Sequence, residues 1–148
     1  MTHSTQSCPF CKIVQRDAPD AREVYRDDHV VAFFPTEPAT LGHTLIIPRQ
    51  HIPDIWSLDE ETAERLARAT LRVSNAVRSV MKPSGLNLIQ SNGEVATQTV
   101  SHLHVHVVPR WDGDAMGIIW PDESNFSDDQ KDEAQERIRQ WLIGASTR

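Results

Sequence analysis

Three histidines, His102, His104 and His106, recur at every second position of the stretch from Thr99 to Arg110. Leu103 and Val105 fill the alternate positions, and Val107 and Val108 follow. Successive side chains of a β-strand leave opposite faces. A period of two therefore predicts a strand with all three imidazoles on one face and an apolar face turned to a core. Imidazoles two residues apart stand roughly 6.6–7 Å apart at the backbone, close enough to converge on one phosphate or one metal. A neutral imidazole is a nucleophile near neutral pH, and its attack on an α-phosphate would leave a covalent phosphoramidate. Neighbouring donors would stabilise charge on the non-bridging oxygens. Metal ligation by histidines at i and i+2, as in a zinc hydrolase, fits the same spacing, and histidine content alone does not separate the two.

The chain's only two cysteines, Cys8 and Cys11, form a second constellation. A two-residue spacing is one half of a four-ligand metal site, and it is also the spacing of a redox pair. A closed metal site needs two further ligands from far along the chain.

These side chains need a scaffold. Residues 23–26 and 29–34 read as strands joined by the Asp27-Asp28 turn. Two prolines and Gly42 punctuate the loop that follows. Residues 43–48 form a third, β-branched strand closed by Pro48. Ser57 and Glu60 make a capping box for a long helix. Its apolar stripe is Leu66, Ala69, Thr70, Val73, Ala76, Val77, Val80 and Met81, and Lys82-Pro83-Ser84-Gly85 stops it. Residues 86–90 and the histidine strand are expected as antiparallel neighbours. A second capping box, Ser127 with Gln130, opens a C-terminal helix over residues 127–143 with apolar positions Ala134, Ile138, Trp141 and Leu142. The expected fold is α+β: a mostly antiparallel five-stranded sheet, one long central helix and a C-terminal helix. At 148 residues the chain reads as a single domain, with residues 1–7 as a disordered tail.

A net charge of −6 with no basic cluster argues against a polymeric nucleic acid held through its backbone, while leaving a single nucleotide open. The polar start lacks a signal-peptide core, and no apolar run has the length of a membrane span, so a cytoplasmic protein with no membrane partner is expected.

The stretch from Gln98 to Arg110 resembles the signature of the histidine-triad family, which hydrolyses or transfers nucleotide monophosphate groups. Ala32-Phe33-Phe34, Gly42 to Pro48, and Gly85-Leu86-Asn87 are similar to family segments at family-like spacing. The resemblance runs from Cys8 to about Trp120. It implies a nucleotide hydrolase or nucleotidyl transferase cleaving at the α-phosphate of a nucleoside phosphoramidate, acyl-adenylate or dinucleoside polyphosphate. His104 would be the nucleophile, giving a nucleotidyl-histidine. His106 would hold a phosphate oxygen. Gln98 and Thr99 would meet the leaving-group oxygen, Thr99 as a proton relay, and His43 would support the triad. Phe33 and Phe34, with Ile13, would wall an AMP/GMP-type base, and Asn92 would contact substrate. Pro35 and Ser91 depart from the family pattern at ribose-side positions. In zinc-containing bacterial members the resemblance completes the cysteine pair with His51 and His102, a structural zinc. It implies no organic cofactor, and a homodimer formed through the long helix and adjoining sheet edge. A nucleotide-binding module with little turnover, and a metallohydrolase using His102, His104 and His106, are the alternatives.

Overall fold

A computed structural model describes residues 6–145. Of the expected N-terminal tail, residues 1–5 lie outside the described residues. The chain divides into two compact units, one ending at Gly117 and one starting at Ile118.

In the first unit the elements run α1 (Pro9–Val14), β1 (Arg22–Arg26), β2 (Val30–Phe34), β3 (Thr44–Pro48), α2 (Glu60–Met81), β4 (Gly85–Gln90) and β5 (Val105–Arg110). The five strands form one sheet in the order β1-β2-β3-β5-β4, every pairing antiparallel. The expected neighbours pair as read: His106 lies opposite Leu45 on β3 and Ile89 on β4. Asp27 builds the β1–β2 turn by accepting the backbone N–H groups of His29 and Val30 at 2.7 and 2.9 Å.

Two expectations shift. The histidine strand begins at Val105, so His102 to His104 form a lead-in, with a bend at His102, rather than ladder. The Leu103 N–H donates to the Ile52 carbonyl at 2.7 Å instead of to a strand neighbour. Alternation survives all the same: Leu103 packs in the core under α2, while the His102 and His104 rings both meet Phe10 on the other side. The second shift is at the long helix. Its cap is Asp59, not Ser57, and the Asp59 carboxylate accepts the Thr62 N–H at 3.1 Å. Ser57 instead closes a short 3-10 turn capped by Asp54. At the far end Lys82 adopts a left-handed conformation (φ 49°) that stops α2.

The sheet carries different business on its two faces. On one, Leu66, Ala69, Val73 and Val77 of α2 bury Val30, Ala32, Ile46, Leu103 and Val107. Ala76 and Val80, expected in this stripe, are exposed, because the helix buries a narrower arc than its apolar arc. On the other face α1 covers Val31, Phe33, Leu45 and Ile47 with Phe10 and the two cysteines. Arg26 holds the end of α1 by donating to the carbonyls of Ile13 and Val14, each at 3.0 Å.

In the second unit α3 spans Asp128–Ala145. The expected box opens it: Ser127 Oγ accepts the Gln130 N–H at 3.2 Å and Gln130 Oε1 accepts the Ser127 N–H at 2.9 Å. Ile138, Trp141 and Leu142 of its apolar stripe are exposed. Among the described residues no helix is long and apolar enough to cross a membrane.

Leu103 is 1 % exposed in the α2-facing core, between two chemistry-bearing histidines. Leu103→Ala leaves a cavity there and is expected to lower the unfolding free energy by about 2–5 kcal/mol, measured by urea denaturation.

Candidate active site and metal centre

Cys8 caps α1 and Cys11 ends its first turn, so the helix itself brings both sulfurs together. His51 follows β3, and His102 reaches them from the lead-in to β5. The ligand atoms of all four lie within 4.8 Å of one another. Cys8 Sγ and Cys11 Sγ stand 3.5 and 3.6 Å from His102 Nδ1, and Cys11 Sγ stands 3.2 Å from His51 Nδ1. A tetrahedral zinc with ordinary bond lengths would set sulfur-to-nitrogen edges of about 3.5 Å. The tautomer suits a metal as well. His102 Nε2 lies 2.9 Å from the Pro48 carbonyl, which can only accept, so Nε2 carries the proton and the Nδ1 lone pair faces the sulfurs. Without a cation the site resists charge. Burial, then the Cys8 hydrogen bond and charge, push the Cys11 thiol up to about 11. Burial pulls His102 down to about 4, against the opposing bond to Pro48. The donor set fits a structural metal ion.

The remaining imidazoles form a separate chain. His104 Nδ1 lies 2.8 Å from the His102 carbonyl, so Nδ1 donates and Nε2 is left as a lone pair. The Ala39 N–H donates to His43 Nδ1 at 3.0 Å, which leaves the His43 proton on Nε2. That Nε2 faces His106 Nδ1 at 2.9 Å and donates to it, so His106 keeps its own proton on Nε2. The rings of His104 and His106 stand 4.9 Å apart at 65°. Two adjacent imidazoles therefore present opposite atoms: a bare nitrogen on His104 and an N–H on His106. Among the described residues neither Nε2 has a hydrogen-bond partner. Burial is the main force holding all three below the ordinary histidine range. The His104 charge adds to it at His43, and His104 and His43 add to it at His106, which falls to about 4. At His104 the bond to the His102 carbonyl works the other way.

The structure gathers some of the other expected residues and separates others. Phe33 lies on the imidazole face, but Phe34, its strand neighbour, points to the α2 face beside Val73 and Val77. Adjacent strand residues cannot share a face, so Phe34 is not brought to the imidazoles. Asn92 is engaged locally: its Oδ1 accepts from the Ile55 N–H at 2.7 Å and from Gln90 Nε2 at 2.9 Å. Gln98 closes its loop, accepting the Gly93 N–H at 2.8 Å and donating to the carbonyls of Pro53 and Val100 at 2.7 and 3.0 Å. The Thr99 side chain is exposed. Phe10 was not anticipated. Its ring meets His104 edge-on at 5.2 Å and Phe33 at 5.3 Å, making the apolar wall of the site. Its place between the two cysteines at the start of a helix was the available signal.

Comparison with known proteins agrees with this geometry. A family profile described as the HIT domain matches residues 16–113. The protein named "Protein hit" from Bacillus subtilis is 39% identical over 137 residues, covering 92% of each chain. The Arabidopsis thaliana protein named "Adenylylsulfatase HINT3" is 32% identical over 117 residues, covering 79% of this chain and 57% of its own. Among solved structures, a zinc-bound histidine triad family protein from Mycobacterium smegmatis superposes with a TM-score of 0.71 at 36% identity, over 81% of this chain and 86% of the other.

A histidine whose folded pKa is depressed binds fewer protons in the folded than in the unfolded chain between the two values. For His106 that window runs from 6.5 down to about 4, and the stability it contributes, complete above 6.5, is lost as pH falls through it. The His106 ring resonances are expected to stay those of the neutral imidazole down to pH ~5 in an NMR titration. A midpoint near 6.5 would contradict the buried, neutral relay.

Proposed function

The chain belongs to the HIT domain family, and on that premise we propose that it is a nucleotide hydrolase or nucleotidyl transferase acting at an α-phosphate through His104. One observation carries the proposal: a lone pair on His104 Nε2, fixed by the His102 carbonyl, beside an N–H on His106 Nε2, fixed through His43. A nucleophile and an oxyanion donor are what in-line attack on phosphorus requires. His104 Nε2 attacks the α-phosphorus, and a phosphorus–nitrogen bond forms as the bond to the leaving group breaks. The leaving group departs with its electron pair and takes a proton from solvent, relayed through the Thr99 hydroxyl. His106 Nε2–H holds a non-bridging oxygen, and the protonated His43 Nε2 braces His106. Water then adds to phosphorus, the phosphorus–nitrogen bond returns its pair to His104, and the water's surplus proton leaves to solvent. Nucleoside phosphoramidates, acyl-adenylates and dinucleoside polyphosphates are the substrate class. The adenylylsulfatase name of one relative supports an adenylyl group joined to a good leaving group.

Phe10, Phe33 and Ile13 supply the apolar wall for an AMP- or GMP-type base. Gln98 and Asn92 act at the rim. Gln98 locks the loop that carries Thr99 toward the leaving group, and Asn92 stitches the same loop region to Ile55. Pro35 offers no side-chain hydrogen bond to a ribose, which shifts ribose recognition onto other groups.

We read Cys8, Cys11, His51 and His102 as a structural zinc site, supported by the edge lengths and by the zinc-bound relative. When bound, zinc supplies a closed four-ligand tie between the N-terminal segment and the residues leading into β5. We take the protein to be a cytoplasmic homodimer that assembles along α2 and the edge strand β4. There Leu71 and Leu88 are exposed and flank a groove lined by Ser74, whose hydroxyl has no hydrogen-bond partner among the described residues. We also take residues 1–148 as one HIT domain ending in a helical segment.

Mixing the protein with an adenosine phosphoramidate and quenching in denaturant should trap an acid-labile adenylyl group on one histidine. His104→Ala should abolish both the adduct and turnover, by at least about 10³-fold. Tight nucleotide binding with no adduct and no product would instead mark a binding module. Separately, the wild-type protein should hold about one zinc per chain by metal analysis, and the Cys8→Ser, Cys11→Ser double variant should hold none. Full zinc retention by that variant would remove the proposed site.

A further inference from the structure

The proton arrangement that makes His106 a donor is set from outside the imidazole cluster. In the 35–42 loop between β2 and β3, the Ala39 N–H meets His43 Nδ1 at 3.0 Å, and the His43 N–H closes back on the Thr40 carbonyl at 3.1 Å. A backbone N–H can only donate, so His43 has one way to hold its proton while this turn keeps its shape. The turn is pinned at two points. Thr40 Oγ1 donates to the Pro109 carbonyl at 2.7 Å, on β5 three residues past His106. Gly42 takes φ +94°, and a Cβ there would stand 3.0 Å from Met81 Cγ, so the turn sits against the end of α2. β5 therefore carries His106 and also anchors the turn that decides which of its nitrogens is protonated.

We propose that Thr40 is a positioning residue for the reaction. By tying the turn to the Pro109 carbonyl it keeps the Ala39 N–H on His43 Nδ1, and so fixes the tautomers of both His43 and His106. The inference rests on the reading above that His106 offers Nε2–H to a phosphate oxygen. The opposite arrangement shows what is at stake. With its proton on Nδ1, His43 would turn a lone pair toward His106. His106 would then hold its own proton on Nδ1 and face the phosphate with a bare nitrogen, which repels an anionic oxygen. Loss of that one backbone contact would leave both arrangements of the relay open.

Thr40→Val keeps the side-chain shape and removes the hydroxyl, and Thr40→Ser keeps the hydroxyl. Nitrogen-15 NMR of the imidazoles in the zinc-loaded protein reads which nitrogen of each ring is protonated. The wild type and Thr40→Ser are expected to show Nε2–H on His43 and His106. Thr40→Val is expected to show mixed tautomers at both, with kcat on an adenosine phosphoramidate lowered about tenfold and KM within about twofold. A purely structural threonine would leave the tautomers unmoved. Wild-type tautomers or wild-type kcat in Thr40→Val would overturn the proposal, as would Nδ1–H on His43 in the wild type, which needs no variant to fold. Should His104→Ala retain turnover, the enzymatic reading fails by itself, and the nitrogen spectra still decide whether Thr40 sets the tautomers.

Discussion

The hydrogen bond from His104 Nδ1 to the His102 carbonyl, 2.8 Å long, is the contact on which the site depends. It gives His104 the neutral tautomer that leaves Nε2 as a bare lone pair. It is also made by the residue whose side chain faces the two cysteines and His51. One residue thus serves two clusters: its imidazole faces the two cysteines and His51, and its carbonyl orients the His104 ring. The Leu103 N–H, bonded to Ile52, fixes the peptide between them. Leu103 itself is buried in the opposite core, so the segment cannot rotate without emptying that core.

The division of the sheet into two faces follows from the same alternation. Leu103, Val105 and Val107 enter the packing under α2, while His102 and His104 meet Phe10 of α1 and His106 stands beside His104 and His43. A helix of six residues has little stability of its own. Here α1 is held at its start by the Cys8 cap, at its end by Arg26, and along its length by Phe10 packed on Phe33 and His104. The wall beside His104 is therefore only as well placed as the cluster that caps this short helix.

Much of this was legible in the sequence, for physical reasons. Period-two histidines with apolar residues between them report a face, and a face is a local property. The first hairpin, the pairing of the last two strands and α2 followed from turn residues and a helical stripe, while the pairing of β3 with β5 did not. The cysteine pair announced half a site, while its completion by His51 and His102 came from resemblance, since no local pattern reports which distant residues meet. Other features were less accessible. The cap of α2 moved from Ser57 to Asp59 because the chain inserts a 3-10 turn that competes for the same residues. Phe33 and Phe34 were read together, although strand alternation already sets them on opposite faces. The amide of Gln98 is satisfied by three backbone groups of its own loop and of Pro53, a non-local arrangement that composition does not encode. Ala39 and Thr40 carry no chemical signature at all.

Why the relay is built from backbone contacts follows from burial. His43 and His104 are 7 % and 6 % exposed, and a buried imidazolium is costly unless an anion accompanies it. A carboxylate partner would orient an imidazole, but it would also favour the cation and so remove the lone pair that attack requires. Carbonyl and amide groups do not titrate. The His102 carbonyl and the Ala39 N–H therefore choose between the two neutral tautomers without raising the charge of the cluster. In the proposed reaction the site would meet an anionic phosphate with one neutral donor and one neutral nucleophile. The first positive charge on His104 would then appear only as its bond to phosphorus forms, beside the negative oxygens that offset it.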